Sequence, residues 1–168
     1  MRVPILFGLS FWLVVLAATA AVAGEPRLRA LLVGVSDYPK ETVGDLQLAG
    51  PKNDVALMLD TLGRLGFRAE DVTVLADGLE TTTARRPADG RPTRAAILAA
   101  LDDLARRAGP GDTVLVYLSG HGSQQPIVDP SKHAVAKADG LEEIFLPIDI
   151  GPREDSVGSV KNALVDHE

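Results

Sequence analysis

Cysteine is absent from all 168 residues. No disulfide can staple the fold, so its core must hold by packing alone. Aromatic residues make up only 4%. Past residue 23 they reduce to Tyr38, Phe67, Tyr117 and Phe145, which leaves Val, Leu, Ile and Ala to build the interior and provides no platform for stacking bases. Positive charge is in deficit as well, 17 Lys and Arg against 23 Asp and Glu, for a formal net charge of −6. An acidic domain without a basic face excludes nucleic acid as a partner.

Long apolar runs are also lacking, except at the start. Arg2 precedes the stretch Ile5 to Ala18, and small residues follow, ending Ala21-Val22-Ala23. A basic start, an apolar stretch and an A-x-A ending are the parts of a secretory signal peptide, so residues 1–23 stand apart from the fold, and a periplasmic or extracellular location is expected. Ile5 to Ala23 also approaches the ~20 apolar residues that span a bilayer. A retained anchor is therefore the alternative, opposed by the absence of a basic stop-transfer patch. After cleavage the remainder, 24–168, has the length of one domain and no expected membrane contact.

What is present follows a regular order. "ALLVGV", Ala30 to Val35, is a continuous apolar run suited to a strand buried on both faces. From Pro51, Val55, Met58, Leu59 and Leu62 recur at helical spacing, with Pro51 in the first turn and Gly63 or Gly66 to close it. Val72 to Leu75 is a second strand. Thr93 caps a second helix whose stripe is Ile97, Leu101, Leu104, Ala105 and Ala108, stopped by Gly109-Pro110. Val114 to Leu118 is a third strand, expected at the centre of the sheet. Two polar loops, Asp77 to Pro92 and Gln124 to Glu142, are long enough to face a substrate or to be surface insertions. Ile144 to Ile148 is a short apolar stretch. Alternating strands and helices predict an α/β fold with a mainly parallel sheet flanked by helices.

The third strand runs into "SGHGS", Ser119 to Ser123. In open parallel sheets ligands bind beyond the carboxyl ends of the strands. His121 there can act as general base or acid, Gly120 and Gly122 allow a sharp turn, and a glycine N–H beside the imidazole can stabilise an oxyanion. The cluster is neither a Gly-x-Ser-x-Gly elbow nor a phosphate-binding glycine loop, because the residue types and later glycines do not match. Zinc would need further ligands, and His133 and His167-Glu168 do not complete a set. A turn histidine that merely hydrogen-bonds is the plainer alternative.

Four segments in this order resemble the caspase-like cysteine peptidases, in particular bacterial metacaspase-like members: "ALLVGVSDYP", "LAGPKNDVALMLDTLGRLGF", "DTVLVYLSGHGSQ" and "DGLEEIFLPID". The resemblance implies the three-layer caspase fold over about Leu28 to Glu168 and makes His121 the catalytic histidine, with the N–H of Gly122 as an oxyanion donor. It also implies that Asp54 and Ser119 line a pocket selecting Arg or Lys, and that peptides or proteins are the substrates. Asp54 can equally be a carboxylate favoured by a helix N-terminus. The family's nucleophile is a cysteine in an Asp-x-Cys-His-Ser-Gly motif about 50 residues after the histidine, and this chain has none. The resemblance thus implies an N-terminal portion of the domain, incomplete at its C-terminus and inactive alone, since histidine cannot replace a thiolate. An edge of the Val114 to Leu118 strand would then be left open, inviting aggregation.

Some family members bind calcium, and Asp166-His167-Glu168 resembles an acidic segment used for it. Calcium prefers hard oxygen ligands, and the histidine in an acidic position leaves no metal residue assigned and no cofactor expected. A non-catalytic caspase-like binding or regulatory module and a hydrolase of an unrelated Rossmann-like family are the competing functions. No oligomeric state follows from the residues.

Overall fold

The computed structural model describes residues 25–127, 129, 131, 139–154, 156 and 158–166. The signal-peptide reading, His133, His167 and Glu168 lie outside the described residues.

A three-stranded parallel sheet is the centre of the molecule, in the order β2, β1, β3. Strand β1 is Leu28–Gly34, β2 is Val72–Ala76 and β3 is Thr113–Ser119. The apolar run in β1 is continuous because both of its faces are covered. Ala30 and Leu32 meet Val55, Ala56 and Leu62 of helix α2, Gly50–Arg64, whereas Leu31 and Val33 meet Ile97 and Leu104 of helix α3, Arg94–Arg107. Helices therefore pack on both faces, giving the three-layer α/β/α arrangement expected. Each fully buried Leu, Ile or Val stabilises it by about 1.5–3 kcal/mol.

The helices begin where local chemistry dictates. Pro51 sits in the first turn of α2, where a missing N–H is harmless. The Ser36 hydroxyl, arriving from the end of β1, accepts the orphan N–H of Lys52 at 3.2 Å. Thr93 caps α3 by accepting from Ala96 N–H at 3.2 Å. Ala105 departs from the expected stripe and faces solvent. A short helix α1, Lys40–Val43, joins β1 to α2 and was not foreseen.

Two expectations need correction. Strand β3 is not central among the described residues: β1 is, and β3 forms the edge. The chain after Ser119 leaves the parallel sheet for a second, antiparallel one, so nothing described lies against β3's outer side. Val114, Val116 and Leu118 project from the face that α3 covers over β1 but does not cover over β3, and they are 45%, 44% and 40% exposed. The long loop expected from Gln124 also begins as a strand. Strand β4, Gly122–Pro126, pairs antiparallel with β5, Leu141–Phe145, and β5 with β6, Leu164–Val165. Backbone pairing, and the buried Gln125 amide donating to Glu142 at 2.6 Å, hold this polar sequence in a sheet that apolar alternation does not signal.

The other loop, 77–92, is part strap. Asp89 N–H donates to Val74 O at 2.8 Å, Val74 N–H donates to the Asp89 carboxylate at 2.8 Å, and Ala76 N–H donates to Gly90 O at 3.1 Å. It covers the outer edge of β2. Among the described residues no helix is long and apolar enough to cross a membrane.

At the opposite end from the glycine cluster, charge holds the strands. The buried Asp71 carboxylate takes Arg29 at 3.0 Å, Arg27 at 3.2 Å and Arg107 at 3.3 Å. Asp112 takes Arg29 Nε at 2.8 Å and the backbone N–H of Arg27 at 2.7 Å.

Candidate active site

The carboxyl ends of the parallel strands bring the sequence candidates to one rim. Ser119 closes β3, and its hydroxyl donates to the Asp54 carboxylate in the first turns of α2 at 2.8 Å. His121 follows in the two-residue link between the sheets, half-buried, and Gly122 opens β4. The candidates thus form two adjacent pairs, Ser119 with Asp54 and His121 with Gly122.

The imidazole is held in a defined state. His121 Nε2 lies 2.9 Å from the backbone oxygen of Leu46. A carbonyl oxygen can only accept, so Nε2 carries the proton and, in the neutral ring, Nδ1 keeps its lone pair. This tautomer can take a proton at Nδ1 and return it. The ring also packs against Tyr38, with centroids 5.2 Å apart and planes tilted by 52°.

Backbone geometry orients the neighbouring donor. Leu146 N–H donates to His121 O at 3.0 Å, which makes residues 121 and 146 a hydrogen-bonded pair. Alternation along an antiparallel ladder then puts Gly122 opposite Phe145 as a non-bonded pair, with the Gly122 N–H turned away from β5. That direction suits a donor to an external oxygen.

The glycines serve a different purpose from the one expected. Neither Gly120 nor Gly122 has positive φ, so no sharp turn depends on them. A side chain on Gly120 would come within 2.9 Å of the Tyr38 hydroxyl and 3.0 Å of the Phe145 ring. Gly120 is there to let Tyr38 and Phe145 close around the link.

Tyr38, the Leu46 carbonyl, Phe145 and Asp77 are the participants that motif reading missed. Burial is the main cause of the Tyr38 hydroxyl's pKa being raised to about 12; the Asp77 charge adds to it, and the hydrogen bond from His121 N–H works against it. The hydroxyl stays neutral near pH 7. Among the described residues no group of three or more His, Asp or Glu is placed to hold a metal ion.

A family model described as the caspase domain matches residues 27–152. The chain belongs to the caspase-domain peptidase family. Metacaspase-1B of Aspergillus fumigatus is 33% identical over 124 residues, which cover 73% of this chain and 27% of that protein. Metacaspase-7 of Arabidopsis thaliana is 37% identical over 128 residues, covering 76% of this chain and 28% of that protein. This caspase-domain chain therefore spans about a quarter of the length of the curated relatives it matches. The crystal structure of a Geobacter sulfurreducens protein superposes with a TM-score of 0.56 at 23% identity, over 84% of this chain and 42% of that one. It supports the fold alone.

Proposed function

We propose that this chain carries the histidine half of a cysteine endopeptidase site that cleaves peptide bonds after arginine or lysine. The observation that carries the reading is the single imidazole at the carboxyl end of β3, with Nε2 engaged by Leu46 O and Nδ1 left as the base. In this reading a cysteine thiolate forms a bond to the substrate carbonyl carbon, and the Gly122 N–H stabilises the oxyanion. His121 Nδ1, having taken the thiol proton, passes it to the departing amine as the C–N bond breaks. It then takes a proton from the water that hydrolyses the thioester and returns it to the released sulfur. Asp54, oriented by the Ser119 hydroxyl, faces the cationic substrate side chain.

The chain itself has no thiol. The resemblance supplies one on a strand parallel to β3, and the open outer edge of β3, with its apolar Val114, Val116 and Leu118, is where that strand would pair. Export directed by residues 1–23 belongs to the same proposal, and N-terminal sequencing of the natively expressed protein tests it.

The decisive experiment is cleavage of fluorogenic peptides ending in Arg, Lys or Asp by the chain alone and by the chain complemented with the Asp-x-Cys-His-Ser-Gly strand. The chain alone is expected to be silent, and the complemented protein to cleave after Arg and Lys. His121→Ala should lower that rate by about 10²–10⁴-fold. Equal cleavage by the His121→Ala protein would sink the reading. Peptide binding without turnover in every combination would favour the second one, a non-catalytic module, which the missing thiol supports.

A further inference from the structure

We propose that Tyr38 is the positioning residue of His121, its hydroxyl taking the place of one backbone hydrogen bond between the strands that flank the imidazole. The inference rests on His121 being the acid–base group and adds a residue to which the Ser-Gly-His-Gly motif assigns nothing.

In a hydrogen-bonded antiparallel pair the two residues exchange both N–H···O bonds. At residues 121 and 146 one bond is direct, Leu146 N–H to His121 O at 3.0 Å. The other is relayed: Tyr38 Oη accepts from His121 N–H at 2.9 Å and donates to Leu146 O at 3.0 Å. A phenol can do both at once, whereas a phenylalanine in the same place can do neither. The space exists because residue 120 is glycine, whose Cβ would stand 2.9 Å from this hydroxyl.

Tyr38 holds the other side of the ring too. Its carbonyl oxygen accepts from Gln47 Nε2 at 2.7 Å, and Gln47 adjoins Leu46, whose carbonyl receives His121 Nε2. One residue thus anchors both the histidine backbone and the segment that selects the tautomer, while its ring lies against the imidazole. The approach to Tyr38 is itself fixed, since the Asp77 carboxylate at the end of β2 accepts from Ser36 N–H at 2.9 Å and Asp37 N–H at 2.7 Å. Alignment of the histidine is in this way tied to the central sheet.

The test is nuclear magnetic resonance on the full ¹⁵N-labelled chain, with His121→Gln used to assign the His121 ring signals. Wild type should show His121 protonated at Nε2, a protected His121 amide and a slowly exchanging Tyr38 hydroxyl proton close to it. Tyr38→Phe keeps the ring and removes the relay. It should speed exchange of the His121 amide about tenfold, the loss of one buried hydrogen bond, and move the two ring nitrogens toward averaged tautomer values. A folded Tyr38→Phe protein with unchanged exchange and unchanged ring shifts overturns the proposal. If that variant does not fold, wild type decides: an unprotected His121 amide or a ring protonated at Nδ1 overturns it, and the expected pattern upholds it. None of these readouts uses cleavage. A tethered histidine whose alanine variant still cleaves would retire the catalytic reading alone, and an untethered one whose alanine variant is inert would retire only the role of Tyr38.

Discussion

The two edges of the parallel sheet are finished in opposite ways. At β2 the strap through Asp89 and Gly90 satisfies backbone groups of Val74 and Ala76, and Arg86 clasps Asp89 at 2.6 Å. At β3 no described segment does this, and three aliphatic side chains of one face stand in solvent. Unpaired edges are aggregation hazards that proteins blunt with charge, proline or cover. Among the described residues edge β2 is blunted and edge β3 is not, so β3 alone leaves strand backbone and an apolar face open.

The largest expected effect tests the strand between them. Leu32→Ala in β1 removes a fully buried side chain and should destabilise the domain by about 2–5 kcal/mol in urea unfolding. Next comes the strap. Asp89→Ala deprives the Val74 N–H of its acceptor and should cost about 1–2 kcal/mol, with faster amide exchange confined to β2. Val116→Ala at the open edge should cost about 1 kcal/mol or less by the same unfolding measurement, because its side chain is already half in water. A Val116→Ala loss as large as that of Leu32→Ala would mean that the edge is covered in solution, and the contrast would fail.

The smallest effect is confined to acid. Arg29 and the backbone N–H groups of Arg27 and Gly109 lower the Asp112 pKa from 3.8 to about 2. A carboxylate depressed in the folded state contributes stability above its unfolded pKa and loses it as pH falls through the folded value. Asp112→Asn should therefore lower the urea midpoint at pH 6, and the gap from wild type should close between about pH 4 and pH 2. Asp112 enters β3, so this loss loosens the start of the open edge. A gap that stays constant down to pH 2 would show that the contact is not formed in solution.

The elements were legible where side chains carry the signal. The run in β1 is apolar throughout because two helices cover it, and the stripes of α2 and α3 match the faces they bury, apart from Ala105. Position within the sheet was legible only through the resemblance, which left the domain incomplete and so an edge of the Val114 to Leu118 strand open, as the structure has it; the residues alone read as a central strand. Val114, Val116 and Leu118 are as apolar as a central strand requires, and residue type says nothing about whether a neighbour is present. Strand β4 was hidden because "GSQQP" has no apolar alternation, its one buried side chain being Gln125. At the site, His121 announces itself among glycines, and Asp54 and Ser119, singled out by the resemblance, are hydrogen-bonded to each other. Tyr38 and the Leu46 carbonyl could not be read, since one acts across a long sequence separation and the other is backbone. The sole signal was a lone tyrosine just beyond the carboxyl end of β1.

The placement of β1 also governs the order in which the molecule can form. Among the described residues it is the first strand made, yet its partners are β2 and β3, so its apolar run leaves the ribosome before either partner. Each pairing must first close a long loop, which slows folding more than it weakens the final state. During synthesis "ALLVGV" stays without a strand partner until Val72–Ala76 has emerged, and its other edge stays open until Thr113–Ser119 follows. Pulse-labelled hydrogen exchange should find β1 protected no earlier than β2, the nearer of its two partners in sequence.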